Sequence, residues 1–368
     1  MDNESKHLPQ DLITRILLRL PVKSLLRFKC VCKFWRSLIS EPDFARSHFE
    51  LATPRLVFNA GLGVRTMDFE GSLHSNPISE PIKVDFLPTP SHTPILGPND
   101  FLSARPRFQI VGSCRGFLLL NSNESLYLWN PSTRVHKPIP SSPFYTNVHG
   151  YLYGFGYDSS KDDYLVVQVP IAPSSSSPRC LERVQFFSMR TNMWKYIEGI
   201  NSRPWDHSRS ARPGLLFNGA VHWLAYDHDK SREVIIAFDL MEKKLLQIPQ
   251  PKDLWYDLSY CDLWVHGSFL SLMMNGSDTL EIWVMEKYKI QSSWTETSLF
   301  RNGIYYLSPL CSTKSGDLVM NSAPELVKYF YKADQLEKRD YQGSGSLQYT
   351  VPMYTESIFS LPGVGEQS

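Results

Sequence analysis

Apolar and polar positions follow two different rhythms along this chain. Over roughly the first fifty residues the rhythm is helical. Leu12, Ile13, Ile16, Leu17 and Leu20 recur at helical spacing and form an apolar band wider than one face. Pro9 suits the first turn of that helix, and Pro21 stops it. A second short helix is expected from Val22 to about Cys30, carrying Leu25, Leu26 and Phe28. A third is expected from about Cys32 to Ile39, carrying Phe34, Trp35, Leu38 and Ile39, with Pro42 closing it. Domains below roughly 40 residues need metals, disulfides or assembly to be stable. This three-helix module sits near that limit and offers neither metal site nor disulfide framework. Its surplus of apolar surface therefore predicts a partner protein.

After a transition from Leu51 to about Gln109, which includes a Pro- and Ser-rich stretch at 88–94, the rhythm becomes that of short strands. Paired strand signals recur with a period of roughly 50 residues, in the range of kelch-type blades. The units pair 114–120 with 126–134, 153–161 with 164–167 and 184–187, 216–223 with 235–240, 263–270 with 280–285, and 311–319 with 327–330. In each, a glycine turn feeds a short apolar strand, and a second strand ends in an aromatic and a polar turn. One unit cannot bury both faces, so several must stack around an axis or into a sandwich. Five units plus an irregular one at 51–110 predict a propeller of about six blades. A C-terminal strand near 354–361 would close the ring on the first blade. A two-sheet β domain is the alternative. The expected division is a helical module at 5–49, a linker and first irregular β unit at 50–110, and a large β domain at 111–362.

Composition supports this. Of 368 residues, 42% are hydrophobic and 13% aromatic, enough for a large core. Twenty-six prolines, nine tryptophans and eighteen tyrosines tilt that core towards β structure. The tryptophans at 129, 194, 223, 283 and 294 read as packing residues between sheets. Between Leu12 and Ser40 stand Arg15, Arg19, Lys23, Arg27, Lys29, Lys33 and Arg36, with no acid. Such a field steers an acidic partner. Nucleic acid fits less well, because the basic residues interleave with apolar ones and the net charge is only +1. The polar start, 1–7, has no apolar signal region, and no apolar run approaches the roughly 18 residues of a membrane span. Residence in the cytoplasm and/or nucleus is expected, with no membrane partner. The six cysteines are scattered and mostly sit in apolar strings, so buried free thiols are expected.

The words of the helical stretch are specific. Leu8-Pro9, Ile16-Leu17, Leu20-Pro21-Val22-Lys23-Ser24-Leu25, Cys30-Val31-Cys32-Lys33 and Trp35 follow in order, and the stretch resembles the F-box of plant F-box proteins along its whole length. The resemblance implies docking onto an acidic Skp-type adaptor, and through it onto a cullin and a RING subunit. It also implies that Leu8, Pro9, Ile16, Leu20, Pro21, Leu25, Val31, Cys32 and Trp35 face the adaptor or brace the helices that do. Farther along, G-F-G-Y-D at 154–158, N-G-x-x-H-W at 218–223, F-D-L at 238–240 and E-I-W-V-M at 281–285 resemble the F-box-associated domain. That domain is kelch-like and shared with S-locus F-box proteins; the likeness spans about 111–332, with a familiar tail phrase at 354–357. Together they imply a substrate-recognition subunit of a Skp–cullin–F-box ligase, which recruits a target protein for ubiquitination and proteasomal degradation. The alternative is a non-ligase scaffold bound to the adaptor, or an S-locus-type receptor in pollen recognition.

Catalytic patterns are missing. The chain has no Walker loop, HExxH or GxSxG. Gly154-Phe155-Gly156 is half of a dinucleotide fingerprint and reads as a strand turn. Asp227-His228-Asp229 reads as a solvated turn, and His222 as a packed strand histidine. No cofactor or metal is expected, and the protein is expected to act by holding its target near a charged enzyme. Target recognition is assigned to aromatic loops, with Trp205, Trp255, Tyr256, Tyr305 and Tyr306 as candidates.

Overall fold

The computed structural model describes residues 8–60, 63–75, 77–87, 108–122, 125–144, 150–171, 183–198, 202–204, 212–227, 232–252, 261–276, 279–300, 307–322, 325–333, 335–340 and 353–361. Four helices lead: α1 (Gln10–Leu17), α2 (Val22–Phe28), α3 (Lys33–Ser40) and α4 (Pro42–Leu51). Pro9 and Pro21 stand at the N-caps of α1 and α2. The Cys32 Sγ caps α3 by accepting from the Trp35 N–H at 3.4 Å. Pro42 does not close α3, as its position suggested; it opens α4 in the first turn, where its missing N–H has no partner to lose. The module is thus four helices, not three. Phe44, Ala45 and His48 of α4 complete its core, and the His48 Nε2–H donates to the Leu20 carbonyl at 2.8 Å.

Six antiparallel sheets follow, and they form a six-bladed β-propeller. The first blade holds β1 (Arg55–Ala60), β2 (Gly63–Met67) and β3 (Ile82–Lys83). The second holds β4 (Gln109–Cys114), β5 (Phe117–Ser122), β6 (Ser125–Trp129) and β7 (His136–Ile139). The third is β8 (Gly150–Asp158), β9 (Asp163–Ile171), β10 (Arg183–Ser188) and β11 (Met193–Glu198). In the fourth, β12 (Ser202–Pro204) and β13 (Leu215–Phe217) share one partner, β14 (Ala220–Asp227), followed by β15 (Arg232–Asp239) and β16 (Lys244–Ile248). The fifth is β17 (Cys261–His266), β18 (Phe269–Asn275), β19 (Thr279–Met285) and β20 (Trp294–Phe300). The sixth is β21 (Ser308–Ser312), β22 (Leu318–Ser322), β23 (Glu325–Phe330) and β24 (Gln335–Asp340). Finally β25 (Met353–Tyr354) pairs with β1, so the C-terminal strand closes the ring as expected. The two-sheet alternative is overturned by these six separate sheets.

Blades two to six are meanders, so the turns between their first and second strands and between their third and fourth strands share one end of the ring. In the first blade, β25 followed by β1 to β3 repeats the same antiparallel order. The tight turns there carry the predicted glycines. Arg115 and Gly116 have φ of 48° and 80°, and Asn218 and Gly219 have 44° and 73°. Two consecutive positive φ values suit a twisted two-residue hairpin. The chain leaves α4 and enters β1 at this same end, and the segment after β25 emerges there too.

Blades meet through alternating side chains. Trp129, Trp194, Trp223, Trp283 and Trp294 are all buried, as their packing role required. The Trp194 Nε1–H donates to the Pro140 carbonyl at 2.7 Å and the Trp294 Nε1–H to the Pro249 carbonyl at 2.8 Å, each reaching back to the preceding blade. Asn59 ties its blade to the next by donating to the Phe108 carbonyl at 3.1 Å. Asn275 does so twice, donating to the Leu307 carbonyl at 2.8 Å and accepting from its N–H at 2.9 Å. Both asparagines end a repeated phrase, three apolar residues before Asn and one small residue after, which recurs at Asn121 and Asn321. Sequence reading passed over this repeat because its spacing is uneven, the third blade lacks it, and in the fourth the same pattern, Leu215 to Gly219, falls on β13 and the turn before β14.

Gly154 and Gly156 lie in the middle of β8, not in a turn. A Cβ on Gly154 would stand 2.6 Å from Val221 and 2.7 Å from Trp223, and one on Gly156 would stand 2.4 Å from Leu240. Close approach of neighbouring blades explains these glycines. Gly154→Ala is expected to destabilise the protein by about 2 kcal/mol, since overpacked cores lose roughly 1–3; a urea titration against the parent reads this.

Candidate functional site

The helical module divides its apolar residues between two directions. Leu17, Val22, Leu25 and Ile39 are buried with Phe44 and Ala45, and Ile13, Leu18, Leu20, Leu26, Phe28, Trp35 and Leu38 pack half-buried around them. A second set faces solvent: Leu8 at 58% exposure, Leu12 at 44%, Ile16 at 53%, Val31 at 61% and Phe34 at 41%. Leu8, Leu12 and Ile16 succeed one another at four-residue steps, so they lie on one stripe of α1 and its lead-in. This is why the band read from the sequence was too wide for one face: one side of it is core and the other is bare. Arg15, Arg19, Lys23, Arg27, Lys33 and Arg36 are exposed around it. The result is a greasy surface in a basic field, suited to an acidic protein with an apolar groove.

Of the nine residues predicted to serve this surface, Leu8, Pro9, Ile16, Pro21, Val31 and Cys32 are exposed. Leu20 and Trp35 are half-buried, and Trp35 rests on Phe28 with ring centres 5.2 Å apart. Leu25 is fully buried, which gives it the bracing role. Two exposed apolar residues, Leu12 and Phe34, were missed as surface positions. Both were seen as apolar helix residues, but helical spacing alone does not say which half of a wide band is left uncovered. The expected burial of the thiols holds for Cys114, Cys261 and Cys311, whereas Cys30 and Cys32 are exposed beside Val31.

The propeller's titratable groups are built into its packing. His222 is buried in β14; its Nδ1 lies 3.2 Å from the Leu215 carbonyl and its Nε2 2.7 Å from the Tyr288 hydroxyl. A carbonyl only accepts, so Nδ1 carries the proton and Nε2 accepts from Tyr288. Burial pushes this imidazole down from 6.5 to about 4, outweighing backbone hydrogen bonds that raise it, and Lys289 adds to the lowering. The unfolded chain therefore binds the proton more readily. The stabilisation from keeping His222 neutral is complete above about pH 6.5, drains away as pH falls towards 4, and has no further to fall below that. About 3 kcal/mol is expected to be lost across this window. His222→Asn, which keeps a donor for Leu215, should lack that slope when urea midpoints are compared at pH 7.5 and 4.5. Among the described residues no three His, Cys, Asp or Glu side chains group as metal ligands, and no helix is long and apolar enough to cross a membrane.

Trp205, Trp255, Tyr256, Tyr305 and Tyr306, the candidate target-binding aromatics, lie outside the described residues. Strand order is informative about their flanks. β16 ends and β17 begins at the end of the ring opposite the helical module, and so do β20 and β21. Trp205 falls between β12 and β13, two short pieces that pair with the two ends of β14 and together make the inner strand of the fourth blade.

Comparison with known proteins places this architecture. The family model of the F-box domain matches residues 6–47, and that of the F-box associated beta propeller domain matches residues 85–338. An F-box/kelch-repeat protein of Arabidopsis thaliana is 30% identical over 79% of this chain and 78% of its own length. The F-box protein CPR1 of Arabidopsis thaliana is 27% identical over 85% of this chain and 79% of its own. Another Arabidopsis thaliana F-box protein is 28% identical over 78% of this chain and 71% of its own. With an exposed apolar band on four N-terminal helices and a six-bladed ring behind it, the chain belongs to the plant F-box proteins that carry an F-box-associated β-propeller, a family of substrate-recognition subunits.

Proposed function

We propose that this protein recruits a target protein to a Skp–cullin–F-box ubiquitin ligase. The helical module docks on a Skp-type adaptor through Leu8, Pro9, Ile16, Pro21, Val31 and Cys32, joined by Leu12 and Phe34. Leu20, Leu25 and Trp35 hold those helices in place. The adaptor brings the cullin and RING subunit, and the propeller holds the target, with Trp205, Trp255, Tyr256, Tyr305 and Tyr306 as the residues assigned to that contact. Transfer then proceeds by proximity, and this chain needs no nucleophile of its own.

The observation that carries the reading is the bare stripe of Leu8, Leu12 and Ile16 with Val31 and Phe34, on a module whose core is otherwise closed. Exposed apolar clusters of this kind mark interaction surfaces. Exposed thiols at Cys30 and Cys32 suit a reducing compartment, in keeping with action in the cytoplasm or nucleus. The experiment has two arms. Tagged full-length protein should capture a Skp-type adaptor together with cullin, and proximity labelling under proteasome inhibition should reveal proteins that accumulate. Capture of adaptor without cullin would leave a scaffold in place of a ligase receptor; failure to capture adaptor would end the proposal.

A further inference from the structure

The short segment after β25 touches both halves of the molecule. Tyr354 is buried, and its hydroxyl lies 2.7 Å from the Ser132 Oγ. Ser357 is fully buried against the second blade: its Oγ donates to the Arg115 carbonyl at 3.0 Å, and the Asn130 Nδ2 donates to its carbonyl at 3.1 Å. Asn130 is itself held, accepting from the Ser132 N–H at 2.9 Å. The next residue, Ile358, joins the core of the helical module with Leu17, Leu25 and Phe44. Phe359 belongs to both: its ring centre is 5.4 Å from that of Phe49 in α4, and the Arg115 guanidinium lies 4.3 Å over it and 3.9 Å over Tyr157. Leu361 returns to the core between the second and third blades.

We infer that Ser357, Ile358 and Phe359 are positioning residues, a splint that sets the angle between the adaptor-binding helices and the propeller. The covalent link, Ala52-Thr53-Pro54, crosses from α4 to β1 at one point and by itself leaves that angle a hinge. The splint adds a second attachment. Consecutive side chains commit to opposite bodies, Ser357 to the ring and Ile358 to the helices, so the bodies cannot turn without breaking one set. The fit is close on the ring side: a Cβ on Gly116 would stand 1.9 Å from the Ser357 Oγ, and Gly116 has φ +80°. The geometry stands apart from the degradation role; its consequence, a fixed reach from the target-binding end to the transferring enzyme, rests on that proposed function.

Paired spin labels at Ser37 on α3 and Lys195 on β11, in a full-length background with Cys30, Cys32 and Cys180 replaced by serine, read the angle as a distance distribution. The double variant I358S/F359S is expected to widen that distribution at least twofold. Adaptor affinity, measured with a purified Skp-type adaptor on I358S/F359S in the chain that keeps all its cysteines, should stay within threefold of the parent. Gly116→Ala disturbs the same contact from the ring and should also widen the distribution. Two results overturn the splint: a distribution as narrow as the parent's in both variants, or a tenfold or greater loss of adaptor affinity in I358S/F359S, which would show that these side chains shape the docking surface itself and not the angle between the two bodies. Because the distance is read without ubiquitin transfer, failure here is distinguishable from failure of the ligase reading.

Discussion

Replacing Ile16 and Val31 together by aspartate is expected to weaken adaptor binding about 100-fold or more while leaving the fold intact. Both side chains are more than half exposed, so the folded chain loses little when they change. In a complex they would be desolvated, and a carboxylate there must shed its water against apolar surface. Central apolar contacts of an interface each contribute on the order of 2 kcal/mol or more, and 1.4 kcal/mol is a factor of ten. The surrounding arginines and lysines would pair the new carboxylates in the free protein, which adds to the loss. Titration of a purified Skp-type adaptor into the two proteins measures the affinity, and an unchanged urea midpoint shows that folding is preserved. Equal affinities would move the docking surface away from this stripe. The contrasting control is Leu25→Ala, in the core: about 2–5 kcal/mol of stability should go, with binding lost only as the module unfolds.

Lys328→Met should destabilise the propeller by about 3–5 kcal/mol. Lys328 is fully buried in β23, and its Nζ donates to the carbonyls of Phe69 at 3.0 Å, Glu70 at 2.9 Å and Gly71 at 2.6 Å. Three donors meet three acceptors, and methionine of similar length leaves all three acceptors dry. Each buried acceptor left without a donor costs roughly 1–3 kcal/mol. The position matters more than the count. Phe69 to Gly71 belong to the first blade and Lys328 to the sixth, so the cluster spans the seam where the ring closes. Glu337 works at the same seam, accepting from the Leu73 N–H at 3.0 Å and from the Ser72 hydroxyl, and Arg339 donates to the Leu73 carbonyl. Among the described residues, the closing strand pairs Met353 and Tyr354 with β1. These polar ties therefore carry much of the closure, and the variant should show an earlier urea midpoint and faster amide exchange in β1 and β24. A midpoint unchanged from the parent would assign closure to β25 alone.

Much of this was legible in the chain. The helical spacing of Leu12, Ile13, Ile16, Leu17 and Leu20, the prolines before α1 and α2, and the run of basic residues state a short helical module with apolar surface to spare. Glycines at 116, 219, 267 and 316 all have positive φ in turns, as strand–turn–strand units require. Other features resisted reading for physical reasons. Pro42 was read as a stop and is a start, because proline ends one helix and opens the next with the same φ. Gly154 and Gly156 looked like punctuation, and only the neighbouring blade, with Val221, Trp223 and Leu240, shows that they are close contacts.

The amino-acid order by itself determined the local units: where helices begin, where strands reverse, which side chains seek cover, and that the helical module carries more apolar surface than it can enclose. Those properties arise from periodicity, turn chemistry and charge between near neighbours. Tertiary structure decided which half of the α1 band stays bare and which residues close the ring. It also decided that Ile358 and Phe359, some three hundred residues from α1, finish the helical core. Such pairings depend on contacts between segments far apart in sequence, whose geometry no local pattern records.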